Sequence, residues 1–180
     1  VANTPMVGIE SSTSSFFDID NDGDSDLLLT GDTKVYASEA RLYKNDGKGT
    51  FTEEINIPFE GVQDGSVAIA DVDGDKDLDV VIAGSKCVRT SEYDMSCQAG
   101  INLYTNDGKG NFTKSSHYPL PVVSSCEIAF GDVDNDGDRD LLLTGEGIGF
   151  KKYASIFKNN GSGYFTENTS VSSPSVDEGS

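Results

Sequence analysis

The stretch DIDNDGDSD at residues 18–26 sets five aspartates in nine positions, directly ahead of the apolar run LLLT. Carboxylates at positions 1, 3, 5 and 9, with a glycine at position 6, are the layout of a site for a hard cation. Calcium takes six to eight oxygen ligands at about 2.3–2.6 Å, and a tight loop can aim several carboxylates at one point. The pattern returns twice, as DVDGDKDLD at 71–79 before VVIA and as DVDNDGDRD at 132–140 before LLLT. A single acidic run is an ordinary solvated turn; three copies in register argue for three ions, one per repeat. An EF-hand is rejected each time, because its loop needs a bidentate Glu at position 12 and a flanking helix. Position 12 here is Leu29, Ile82 or Leu143, inside a strand-like run. The ninth residue must therefore close the cage: Asp26, Asp79 or Asp140. The seventh, Asp24, Asp77 or Asp138, is expected to offer its backbone carbonyl while its side chain stays in solvent.

Catalysis by such a metal would need an open coordination position and an acid–base partner. Four carboxylates and a carbonyl per loop leave little room beyond water. The single histidine, His117, has no histidine partner and no counterpart in the other repeats. The expectation is a structural ion and no enzyme.

The elements that must position these loops also repeat. Each aspartate cluster is followed by a second block: RLYKNDGKGTFTE at 41–53, NLYTNDGKGNFTK at 102–114 and SIFKNNGSGYFTE at 155–167. Pro5, Pro58 and Pro119 each stand thirteen residues before a first aspartate. The period is 53 residues and then 61, the excess being the insertion SKCVRTSEYDMSCQAG in the second copy. Each unit reads as four short strands: one ending at the aspartates, the apolar run, the alternating RLYK, NLYT or SIFK, and one starting at Phe-Thr. Asp46-Gly47, Asp107-Gly108 and Asn160-Gly161 predict tight hairpin turns between the third and fourth, since these residue types accept positive φ. No segment has the period and length of a sustained helix.

Such units suggest blades of a β-propeller. The expected fold is all-β: three consecutive four-stranded antiparallel blades of a partial propeller. They form one domain over 1–180, with repeats at roughly 5–57, 58–118 and 119–173 and a tail at 174–180. Both ends fall at repeat boundaries, so the expectation is a piece of a longer array; a natural three-repeat protein is the alternative. Three blades do not close a ring, so the outer faces of the first and third are expected to be apolar, exposed and prone to self-association.

With these motifs in place, the chain resembles the FG-GAP or VCBS repeats of integrin α-subunit propellers, T-cell immunomodulatory proteins and some lectins. The resemblance runs through nearly the whole sequence. It implies propeller blades with calcium held between the first two strands of each. The side-chain ligands it implies are Asp18, Asp20, Asp22 and Asp26, then Asp71, Asp73, Asp75 and Asp79, then Asp132, Asp134, Asp136 and Asp140. One residue departs from the pattern. The glycine at position 6 is Gly23 and Gly137 in the outer loops but Lys76 in the middle one, where left-handed backbone costs about 1–2 kcal/mol. The middle site is therefore expected to be the weakest.

Composition narrows the function. The 31 acidic against 13 basic residues give a net charge of -18, which disfavours nucleic acid and anionic membrane surfaces. No apolar run is long enough for a membrane span. Cys87 and Cys97 bracket the insertion, and a disulfide there would fit an oxidising compartment; two free surface thiols are the alternative. Cys126 is odd and expected to be buried. Asn111, Asn160 and Asn168 begin glycosylation sequons that matter only in a eukaryotic source. Calcium loops and a cysteine pair together favour a secreted or cell-surface location. The reading is a calcium-stabilised, non-catalytic propeller segment for protein interaction or adhesion. Its variable loops at 31–40, around Cys87–Cys97 and at 145–154 are the expected contact surface, unless they are merely unconstrained connections. A glycan is the alternative ligand, with Tyr36, Tyr93, Phe150 and Tyr153 supplying aromatics, and an accessory region of a larger extracellular enzyme is the third reading.

Overall fold

Each apolar run behind an aspartate loop becomes the second strand of a four-stranded antiparallel sheet. The computed structural model describes residues 6–33, 37–91, 94–116, 120–147 and 151–170. In it, β1 (Glu10–Phe17), β2 (Asp26–Asp32), β3 (Ser38–Asn45) and β4 (Phe51–Glu54) form the first sheet in chain order. The second sheet is β5 (Gln63–Ala70), β6 (Asp79–Arg89), β7 (Met95–Asn106) and β8 (Phe112–Lys114). The third is β9 (Ser124–Gly131), β10 (Asp140–Glu146), β11 (Lys152–Asn159) and β12 (Phe165–Glu167). No helix occurs among the described residues, and so none long and apolar enough to cross a membrane. The all-β reading holds, with three consecutive antiparallel sheets in the manner of propeller blades. Pro5, Tyr36, Tyr93, His117, Pro119, Phe150 and the tail from 171 lie outside the described residues.

The second strands are apolar without alternation because both faces are covered. Successive residues of a strand point to opposite sides. Val80, Val81, Ile82 and Ala83 of β6 are all buried, so this strand meets protein on each side. On one side, Val80, Ile82 and Tyr104 join Phe17, Leu28 and Leu42 of the first sheet in one core, with Phe59 and Val62 of the connecting segment between them. On the other, Val81, Ala83 and Leu103 join Leu141, Leu143 and Phe157 of the third sheet. The first strands β1, β5 and β9 lie next to one another, so the sheets fan out from their first strands.

Two local expectations are corrected. The turn between third and fourth strands is not a two-residue hairpin, because the last pair is Asn45 with Phe51, leaving five residues between. Positive φ falls on Gly47 and Gly49, while Asp46 uses its side chain, whose Oδ1 accepts the amides of Lys48 at 2.9 Å and Thr50 at 3.0 Å. The second correction concerns the insertion, which is not a loop. It lengthens β6 and β7 in unbroken register, from Ser85 opposite Ala99 to Arg89 opposite Met95. Cys87 lies opposite Cys97, and the two form a disulfide, while Cys126 is free and buried.

Candidate metal centres

The three aspartate loops adopt one conformation, and its backbone explains their shared residues. Position 6 is left-handed in all three, at Gly23 (φ 93°), Lys76 (φ 78°) and Gly137 (φ 99°), so the strained lysine expected from the sequence is present. Position 4 is left-handed as well, at Asn21 (φ 60°), Gly74 (φ 82°) and Asn135 (φ 61°). The middle loop thus has its glycine at 4 and its side chain at 6, the reverse of the outer two. Asparagine and glycine are the residues that enter this region most readily, which is the signal that could have revealed position 4.

The first aspartate holds each loop. Asp18 accepts the Asp22 amide at 3.1 Å and the Gly23 amide at 2.9 Å. Asp71 accepts from Gly74 at 2.8 Å and Lys76 at 3.0 Å, and Asp132 from Gly137 at 3.1 Å. Position 5 repeats a smaller bond: Asp22, Asp75 and Asp136 each accept the amide two residues on, at 2.9 Å. These contacts turn carboxylates inward. One oxygen from each of Asp18, Asp20 and Asp22 lies within 4.8 Å of the others, as do oxygens of Asp71, Asp73 and Asp79, and of Asp132, Asp134 and Asp136.

The ninth aspartate carries a second duty. Asp26, Asp79 and Asp140 are buried, and each ties its loop to the end of the third strand. Asp79 accepts from the Val72 amide and the Asn106 amide, both at 2.9 Å. Asp26 does the same with Ile19 and Asn45, at 3.1 and 2.8 Å, and Asp140 with Val133 and Asn159, at 2.9 Å each. Burial pushes the Asp79 carboxyl up to about 7, against the pull of those two amides; the Asp26 carboxyl is raised for the same first reason. Only in the middle loop does the ninth carboxylate reach the inward cluster; in the outer loops position 5 takes that place.

The seventh aspartate corrects an expectation. Asp24, Asp77 and Asp138 are half-buried rather than solvated. Their carboxylates lie over the turn glycines of their own sheets: a β-carbon on Gly47 would collide with Asp24, one on Gly108 with Asp77, and one on Gly161 with Asp138. Each of these glycines also has positive φ, so the turn and the aspartate loop fit together only around a bare Cα.

The residues present fit a divalent cation on one repeated observation. Asp20 Oδ1, Asp73 Oδ1 and Asp132 Oδ1, one oxygen in each loop, are buried without a hydrogen-bond partner. A buried acceptor left unsatisfied is costly, and an ion at the inward cluster would satisfy it. Desolvation, followed by the charge of Asp75, raises the Asp73 carboxyl as well.

Two sets of residues escaped the sequence reading. Lys44 Nζ stands 3.0 Å from Asp20 Oδ2, and Lys158 Nζ 2.7 Å from Asp134 Oδ2. The asparagines ending β7 and β11 link sheets: Asn106 Nδ2 donates to Ile19 O at 2.8 Å, and Asn159 Nδ2 to Val72 O at 2.7 Å. That asparagine recurs in all three second blocks, which was its only trace in the sequence. Of the aromatics considered for a glycan, the described one, Tyr153, is already engaged, donating to Glu167 Oε1 at 3.1 Å.

Comparison with known proteins agrees with this geometry. A relative, a T-cell immunomodulatory protein homolog of Plasmodium yoelii yoelii, is 30% identical over 136 residues. The match covers 70% of this chain but 19% of the relative, so the chain spans about a fifth of that protein's length. The family model for the FG-GAP-like repeat matches residues 18–82 and 95–143, taking in the first and second aspartate loops whole and the third with the start of its following strand. With more than half of its length matched and three such loop-bearing sheets, the chain belongs to the FG-GAP-like repeat family.

Proposed function

We propose that this chain is a calcium-stabilised, non-catalytic propeller segment of a secreted or cell-surface protein that mediates protein interaction. The ions are held by Asp18, Asp20 and Asp22, by Asp71, Asp73 and Asp75, and by Asp132, Asp134 and Asp136. Asp79 joins the middle set, Asp26 and Asp140 tie the outer loops to their third strands, and the backbone carbonyls of Asp24, Asp77 and Asp138 complete the cages. The observation that carries this reading is the orphaned, buried carboxylate oxygen in every loop. Bound calcium supplies positive charge among acids that otherwise repel one another.

Magnitudes favour a structural role. With the Kd of about 10⁻⁴–10⁻³ M typical of extracellular modules, tenfold excess ion adds about 1.4 kcal/mol per site. Three sites give about 4 kcal/mol, a large part of the ordinary stability of a domain. The disulfide supports an oxidising compartment. For the partner surface, the long β6–β7 hairpin is the best-built candidate. It carries exposed Val88 and Met95 beside the Cys87–Cys97 bridge. Thermal melting in millimolar calcium against excess EGTA tests the central claim. The expected fall in EGTA is about 5–15 °C, from the stability change above. Superimposable melts would rule the reading out.

A further inference from the structure

We propose that the three loops hold calcium unequally and that the middle loop fills first, because lysines on the third strands compete with the ion in the outer two. This rests on the calcium reading above. The residue before the strand-ending asparagine is Lys44 in the first sheet, Thr105 in the second and Lys158 in the third. Lys44 and Lys158 each place an ammonium on the aspartate at position 3 of their own loop, Asp20 and Asp134. Among the described residues no ion pair reaches Asp71, Asp73, Asp75 or Asp79. An entering divalent ion must either displace the ammonium or settle beside it. The first loses an ion pair, the second sets like charges a few ångströms apart, and both weaken binding.

Lys76, which by sequence marks the middle loop as weakest, does not act this way. Its side chain is exposed, and its backbone amide makes the same bond to the first aspartate that Gly23 and Gly137 make. The middle loop also brings the buried Asp79 into its oxygen cluster with Asp71 and Asp73, and Asp73 Oδ1 has no other partner. A buried carboxylate attracts an ion more strongly than an exposed one, since less solvent screens it. The order expected from the loop sequences is thereby reversed.

Calcium titration of the ¹⁵N-labelled 180-residue chain, followed by NMR, reads the loops separately. The amides of Gly23, Lys76 and Gly137 each donate to the first aspartate of their own loop and serve as reporters. The Lys76 signal is expected to reach its midpoint at calcium about threefold or more below the other two, the scale of a partly exposed ion pair. Lys44→Thr should lower only the Gly23 midpoint and Lys158→Thr only that of Gly137, while Thr105→Lys should raise that of Lys76. Lys86→Thr removes the same charge away from the loops, from an ion pair with Glu60, and should move none of them. A common midpoint, a Lys76 signal that titrates last, or equal shifts from Lys44→Thr and Lys86→Thr would overturn the ordering while leaving calcium binding intact. If no reporter responds to calcium at all, the calcium reading falls, and this inference with it.

Discussion

At the residue scale the aspartates divide into two kinds by what their oxygens touch. Asp20 and Asp73 hold an oxygen with no partner, whereas both oxygens of Asp79 are occupied by backbone amides from two different elements. Removing the second kind must therefore hurt the fold without any metal. Asp79→Ala leaves the Val72 and Asn106 amides buried and unsatisfied, at about 1–3 kcal/mol each. Asp75→Ala removes an exposed acid from a crowd of like charges and should cost little in EGTA. Urea denaturation in EGTA is expected to show Asp79→Ala less stable by about 2–6 kcal/mol, on the same unsatisfied-amide scale, with Asp75→Ala close to the parent chain. Equal midpoints for the two variants would mean that the ninth aspartate is a ligand only. The spacing of the acids was readable in the sequence because carboxylates with apolar neighbours have few other uses. The split in roles was not, because the amides that occupy Asp79 come from residue 72 and from residue 106, brought together only by the sheet.

At the scale of elements, strand order and strand starts followed from the repeat. The apolar run VVIA is buried on both faces, and the Phe-Thr pairs do open β4, β8 and β12. What the pattern hid was the insertion, which has turn-like composition yet continues two strands. Its register explains this: Cys87 faces Cys97 directly, and the tip is closed by the Thr90 amide bonding to Asp94 O at 3.0 Å. The hairpin is also fixed at its base, where Ser38 Oγ of the first sheet accepts the Cys87 amide at 3.0 Å. Closing so short a loop covalently is worth about 3 kcal/mol in the chain-entropy picture. Because the bridged segment lies beyond the shared cores, much of that loss should be local. Reduction, or Cys87→Ser with Cys97→Ser, is expected to speed amide hydrogen exchange across 85–99 at least tenfold, the equivalent of about 1.4 kcal/mol, and to lower the melting temperature less. Unchanged exchange in that hairpin would show that register and Ser38 hold it without the bridge.

At the scale of the whole molecule, each sheet offers the next a standard face. Ile19 and Val72, the second residues of the first two loops, are buried, and their carbonyls accept from Asn106 and Asn159 of the following sheet. The equivalent Val133 is 49% exposed. Leu28 and Val81 are fully buried by the following sheet, while Leu142 in the same place is 43% exposed. On the opposite end, Phe16 is 63% exposed, although Ile69 and Phe130 at its position pack into the inter-sheet cores. Asn45 makes a bond to Ser25 O at 3.1 Å like the one Asn106 makes to Leu78 O, but among the described residues it has no preceding sheet to reach. The two ends are thus halves of the contact that the molecule already makes twice. Produced on its own, this chain is expected to set the first sheet of one copy on the third sheet of another. Such a heterologous contact adds copies head to tail rather than pairing them. Sedimentation velocity of this 180-residue chain in calcium is expected to show concentration-dependent species larger than a monomer. Leu142→Glu buries a charge at the centre of that contact and should return the chain to monomer, whereas Val88→Glu, on the hairpin away from either end, should not. A parent chain that stays monomeric at all concentrations would mean that the exposed apolar area of a single face is too small to overcome the cost of association.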